Sequence, residues 1–151
     1  MKNLESRTGF KQLDVLVMNA GISQREEFDK TKLSVYFDLI NINFTSCVAM
    51  TKAVLPYMIK QKSGQIAGTS SIFGRHCSAR RTAYSAAKHA LEGFLNSLRP
   101  EVQQYNISTT AVSPGCIYTN VAFNSMLGDG SKMGVTDARI KLGMPPQKCA
   151  Q

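Results

Sequence analysis

Leu13-Asp14-Val15-Leu16-Val17-Met18 is a short, β-branched apolar run that stops at Asn19-Ala20-Gly21. A run of this length bounded by turn residues predicts a buried strand. From about Thr31 to Lys62 the apolar residues recur at helical spacing, with Val48, Leu55 and Ile59 on one side and Met50, Val54 and Met58 beside them. Pro56 is expected to bend this helix and Gly64 to close it. Gln65 to Ser70 predicts a second strand, weakened by Gly68. A second helix begins near Thr82, where Ala87, Leu91, Phe94, Leu98 and Val102 follow in steps of three and four on one face, and Pro100 threatens its last turn. Ile107 to Val112 predicts a third strand, ended by Ser113-Pro114-Gly115.

Strand, helix, strand, helix, strand implies parallel β-α-β units with right-handed crossovers, and therefore an open α/β sheet. Ligands of such sheets sit outside the carboxyl ends of the strands. Asn19-Ala20-Gly21, Ser70-Ser71 and Pro114-Gly115 each follow directly after a strand, so three polar or glycine-bearing turns should converge on one edge. The stretch from Val121 to Gln151, rich in Gly, Lys and Asp, shows weak periodicity and reads as loop with a short helix.

Composition narrows the function classes. A chain of 151 residues with 43% apolar and 19% charged content suits one folded domain. Eighteen basic against ten acidic side chains give a formal charge of +8. The positive charges are scattered and accompany no zinc-knuckle or aromatic-basic motif, which argues against nucleic acid as a partner. Cys47, Cys77, Cys116 and Cys149 form no CxxC pair, and His76 and His89 supply no zinc spacing, so a reduced, intracellular chain without structural metal is expected. No signal peptide begins at Met1, and the apolar stretches are broken before the roughly 20 residues a membrane span needs. Membrane association is thus not encoded here, and the compartment stays open between cytoplasm and an intracellular membrane.

Tyr84 and Lys88 are four apart within a predicted helix, so they share a face. An ammonium near a phenol favours the phenolate, which suits a general acid or base acting on a carbonyl or alcohol oxygen. Alone, a Tyr and a Lys at this spacing also fit an ordinary amphipathic helix. Ser71 lies thirteen residues earlier, in the turn after the middle strand, where its hydroxyl could donate to the same oxygen. Its plainer reading is a turn serine. Ser70 and Ser85 receive no role.

Taken in order, Asn19-Ala20-Gly21 after an apolar strand, Asn43 inside a helix, Ser71, Tyr84-Ser85-Ala86-Ala87-Lys88, and Ser113-Pro114-Gly115 with Thr119 resemble the short-chain dehydrogenases/reductases. The match runs from about Leu13 to Thr119. The later segments Gly128-Asp129-Gly130-Ser131-Lys132 and Gly143-Met144-Pro145-Pro146 look like that family's member-seven branch. The resemblance implies hydride transfer between a nicotinamide dinucleotide, NADP ahead of NAD, and a carbonyl or alcohol substrate, with lipid-like compounds among those open. It implies that Tyr84 exchanges the proton with the substrate oxygen and that Lys88 keeps Tyr84 acidic and binds the nicotinamide ribose. Ser71 would orient the oxygen, and Asn43 would hold a water linking Lys88 to solvent. Asn19, Ala20 and Gly21 would line the cofactor site, with Tyr84, Lys88, Pro114, Gly115 and Thr119 at its nicotinamide end. Homodimers through the helix of Ala87, Leu91 and Phe94 and the helix of Leu55 are implied as well.

The same resemblance exposes departures. Ser46 stands where the family often has Gly, and Met18 where Asn is frequent. The glycine-rich pyrophosphate loop and the residue that selects NAD or NADP should precede Leu13, yet Gly9 has no second glycine at the required spacing. Residues 1–12 therefore read as an N-terminal remnant, 13–120 as a partial catalytic core, and 121–151 as a substrate-loop region with a shortened tail. The expected fold is a partial Rossmann-like, doubly wound parallel sheet lacking its first three strands and C-terminal elements, with Leu13 to Met18 left as an apolar edge. A non-catalytic fragment or interaction subunit unable to bind cofactor is the alternative expectation.

Overall fold

The computed structural model describes residues 12–151. Gly9 and most of the 1–12 remnant lie outside the described residues. Three strands, β1 (Val15–Met18), β2 (Gly64–Thr69) and β3 (Ile107–Val112), form a parallel sheet in the order β1-β2-β3. Between β1 and β2 run α1 (Leu33–Ile40), a π turn (Asn41–Thr45) and α2 (Ser46–Gln61). Between β2 and β3 runs α3 (Thr82–Val102). Two short helices, α4 (Ala138–Lys141) and α5 (Pro146–Cys149), lie in the tail.

Side chains alternate across a strand, so each face of this sheet is one set of positions. Met18, Ile66 and Ile107 point to the covered face, where they pack with Cys47 and Met58 of α2 and Leu91, Leu95, Leu98 and Val102 of α3. Gly68 belongs to the same face. A methyl there would stand 2.7 Å from Leu95 Cδ1, so the glycine lets α3 approach β2 closely. On the opposite face Val15, Val17 and Val112 are about half exposed among the described residues, and β1 forms the edge, as expected for an apolar strand there.

The long helical segment departs from its sequence pattern. Val35, Leu39, Asn43, Cys47 and Thr51 are buried at every fourth position, whereas Met50 is exposed. In a regular α-helix each four-residue step drifts by ~40°, which would carry such a series off the face. The wider π turn absorbs the drift and holds Asn43 inward. Pro56 lies within α2 and Pro100 within α3, and both helices continue past them. Lys62, not Gly64, closes α2 in the left-handed region at φ 54, and Gly64 instead begins β2. Leu33–Gln61 is also long and apolar enough, by composition alone, to cross a membrane, contrary to the expectation from shorter stretches. Its buried positions pack onto the sheet and α3, and 22% of the apolar window is buried.

A second cluster, Val35, Leu39 and Ala83 with Ile22, Tyr84 and Met126 packed on it, joins α1 to α3 and to the tail. The tail is tied to the strand ends by backbone bonds: Met126 N–H donates to Ser23 O at 2.8 Å, and Tyr118 N–H donates to Met144 O at 2.9 Å. It therefore roofs the carboxyl edge of the sheet.

Candidate active site

A cavity of about 260 Å³ opens at the carboxyl ends of β1, β2 and β3. Asn19 and Gly21 enter it from the turn after β1, Ser71 from the turn after β2, and Pro114, Gly115 and Thr119 from the segment after β3. Asn43 reaches it from the π turn, and Tyr84 and Lys88 from the first turns of α3. Among the residues the sequence singled out, Ala20 alone does not line it; it is exposed beside it.

Asn43 is fully buried, and its amide braces the turn after β1. Nδ2 donates to Ile22 O and Leu39 O at 3.0 Å, and Oδ1 accepts from Ile22 N–H at 3.1 Å. A Cβ on Gly21 would come within 2.8 Å of Asn43 Oδ1 and 3.3 Å of Lys88 Nζ, so only glycine fits between the π turn and α3. Lys88 is 4% exposed; its Nζ donates to Thr69 O at 2.7 Å and lies 5.9 Å from the centre of the Tyr84 ring. Burial lowers the Lys88 pKa from the ordinary lysine range, against a small opposing influence from Cys47. Ser71 Oγ accepts the Phe73 N–H at 3.2 Å, which leaves its own proton free to donate into the cavity. The phenol of Tyr84 is steadied from one side by the edge-to-face Phe73 ring, 6.4 Å between centroids.

Several neighbours carried no sequence signal. Arg25, Arg81, Phe73, Cys116, Val121 and Ile140 also line the cavity. Glu92, two turns beyond Tyr84, clamps the two later loops together. It accepts the Ser113 hydroxyl from the end of β3 and pairs with Arg75 at 3.5 Å. Burial works against the Glu92 carboxylate, but the hydrogen bonds of Ser113 and Ser70 and the charge of Arg75 outweigh it and hold its pKa below the usual range. A lowered carboxylate pKa in the folded state contributes stability that is complete above the ordinary pKa and is lost as pH falls through that value toward the folded one. Thermal unfolding followed from about pH 7 to about pH 3 should therefore show an acid limb that Glu92→Gln flattens. An unchanged limb in that variant would remove Glu92 as its source. Among the described residues no three His, Cys, Asp or Glu side chains gather as a metal site.

The short chain dehydrogenase family model matches residues 3–127. The chain is 42% identical over 142 residues to "Dehydrogenase/reductase SDR family protein 7-like" of Drosophila melanogaster, covering 94% of itself and 44% of that relative. It thus spans less than half the length of the curated relatives it matches. A short-chain dehydrogenase from Streptomyces avermitilis superposes with a TM-score of 0.72 at 36% identity, over 78% of this chain and 43% of the other. ElxO with NADP bound superposes with a TM-score of 0.70 at 33% identity, over 76% and 46%. The parallel sheet with its cavity at the carboxyl edge, the order of the motif residues and these matches lead to one statement: the chain belongs to the short chain dehydrogenase family.

Proposed function

We propose that the protein exchanges hydride between a nicotinamide dinucleotide, NADP or NAD, and a carbonyl or alcohol, with Tyr84 as general acid and base. The observation that carries this reading is the convergence of Asn43, Ser71, Tyr84 and Lys88 on one cavity at the carboxyl edge of a parallel sheet. The NADP held by the similar ElxO supports the cofactor class. The residues present suit such a group: a Cβ on Gly115 would meet nothing within 4 Å, so backbone there is open to close approach, and Asn19, Pro114 and Thr119 flank the same space with Ala20 at its rim. When bound, the nicotinamide supplies or accepts the hydride.

Each protein group then has a task. In reduction, the Tyr84 hydroxyl gives its proton to the substrate oxygen while Ser71, its lone pair taken by Phe73 N–H, donates a second hydrogen bond to that oxygen. Lys88, whose burial favours release of its proton, stands beside Tyr84 to replace the lost one and offers its remaining hydrogens to ribose hydroxyls. Asn43 keeps Gly21 and Lys88 in register, and the second lone pair of its Oδ1 is what is left to hold a relay water. Residues 13–120 form the catalytic core in this assignment, and 121–151 the segment that shapes the substrate pocket.

The direct test is a calorimetric titration with NADPH and then NADH, followed by consumption of the bound form with a panel of aldehydes and ketones. Saturable binding and turnover are expected; binding of neither dinucleotide overturns the assignment. Lys88→Ala should weaken binding and slow turnover together, because one ammonium serves ribose and proton supply. Unchanged dinucleotide affinity in that variant rejects the ribose role.

A further inference from the structure

Arg25 is 6% exposed, and its Nη1 donates to Ser23 Oγ at 2.9 Å and to Gln24 O at 2.8 Å. Its Nε is buried without a partner. A second guanidinium, Arg81, is half-buried, with its carbon 4.4 Å from the centre of the Phe73 ring. Both line the cavity that holds Ser71, Tyr84 and Lys88, and neither belongs to an ion pair among the described residues. Buried charge is normally kept only with a partner, and an unsatisfied buried donor costs free energy. Here two like charges share one low-dielectric wall.

The acidic side chain that acts on both is Asp137, which does not line the cavity and whose Oδ1 accepts the Arg139 N–H. One carboxylate against two guanidiniums leaves the wall positive. Burial, with repulsion from Arg81 second, lowers Arg25 to about 10, while Asp137, Tyr84 and Cys116 pull the other way. Among the described residues no carboxylate lines the cavity itself.

The geometry points to an anion subsite in the substrate half of the cavity: Arg25 and Arg81 together receive a carboxylate or phosphate carried by the carbonyl substrate. This deepens the reductase reading given above and rests on it for the word substrate. A guanidinium fork matches the oxygens of either anion, and a planar Arg held over an aromatic ring is already oriented for that contact. Phe73, Val121 and Ile140 supply apolar wall beside the arginines, so the favoured compound has an apolar body, a carbonyl at Tyr84 and one anionic group. A neutral ketone of the same shape leaves both guanidiniums unpaired.

The test titrates the full chain calorimetrically with benzoate, with phenyl phosphate and, as the uncharged control, with benzamide. At least one anion should bind saturably and benzamide at least about tenfold more weakly, a difference of ~1.4 kcal/mol. Benzoate and phenyl phosphate separate a carboxylate preference from a phosphate preference. Arg81→Ala and Arg25→Lys should each lower anion affinity by about tenfold or more, the second because an ammonium lacks the fork. Equal binding of benzamide and the anions, or undiminished anion binding in Arg81→Ala, overturns the subsite. Arg81 is half-buried at the start of α3, so its variant decides the matter even if Arg25→Lys fails to fold. Binding is read without turnover, which keeps the two readings apart. Anion binding without carbonyl reduction sinks only the reductase assignment, and reduction of neutral ketones without anion binding sinks only the subsite.

Discussion

Tyr84→Phe should lower carbonyl turnover by about 10²–10⁴-fold, the usual contribution of a positioned general acid, while leaving dinucleotide affinity within a few-fold. The variant removes one hydroxyl and keeps the ring that packs on Phe73 and on the Val35–Leu39–Ala83 cluster, so the fold has no reason to change. Lys88 keeps its bond to Thr69 O, and Ser71 keeps its bond from Phe73 N–H. What is lost is the proton at the substrate oxygen. Steady-state rates beside a dinucleotide titration make the comparison, and full activity in Tyr84→Phe would end the acid-base assignment.

The largest effect on stability should come from Leu95→Ala. Leu95 is fully buried at the centre of the cluster between α3 and the sheet, and its Cδ1 occupies the space above Gly68. Truncating a leucine in such a site costs about 3 kcal/mol, the lost transfer energy plus an unfilled cavity. For a domain of this size that lowers the thermal midpoint by roughly 6–12 °C. Gly68→Ala alone should also destabilise, since its methyl would press within 2.7 Å of Leu95 Cδ1. In the Leu95→Ala background the same methyl enters vacated space, with Leu91 at 3.5 Å as an ordinary contact, and should recover part of the loss. Additive losses in the double variant would show that the two positions do not share that space.

Periodicity located the strands because a buried parallel strand is a short apolar run bounded by turn residues, a signal that lies within a few consecutive positions. Ile107–Val112 has the bounds that pattern predicts, and β1 and β2 differ from theirs by one or two residues. The α3 stripe was legible for the same reason, although Leu95 escaped it: a helix packed at once on the sheet, on α1 and on the π turn buries more than one narrow stripe. The first long helix misled the pattern, since its π turn resets the repeat and hydrogen bonding within one turn leaves no trace in residue type. Gly68 looked like a weakness in a strand and turned out to mark the close approach of α3.

The site divides along the same line. Residues at strand ends and at four-residue spacing, such as Gly21, Ser71, Tyr84 and Lys88, are placed by local structure, so their meeting at one edge followed from the strand–helix order. Arg25, Arg81, Glu92, Val121 and Ile140 reach the cavity or its supporting loops only because the tail folds back over the strand ends and α3 crosses beneath them. Those contacts join positions far apart in the chain, and no period or spacing records them. Sequence alone thus determined which few local residues stand at that edge, and in what order. The charge and shape of the space in front of them came only from long-range packing, where burial decides which side chains meet.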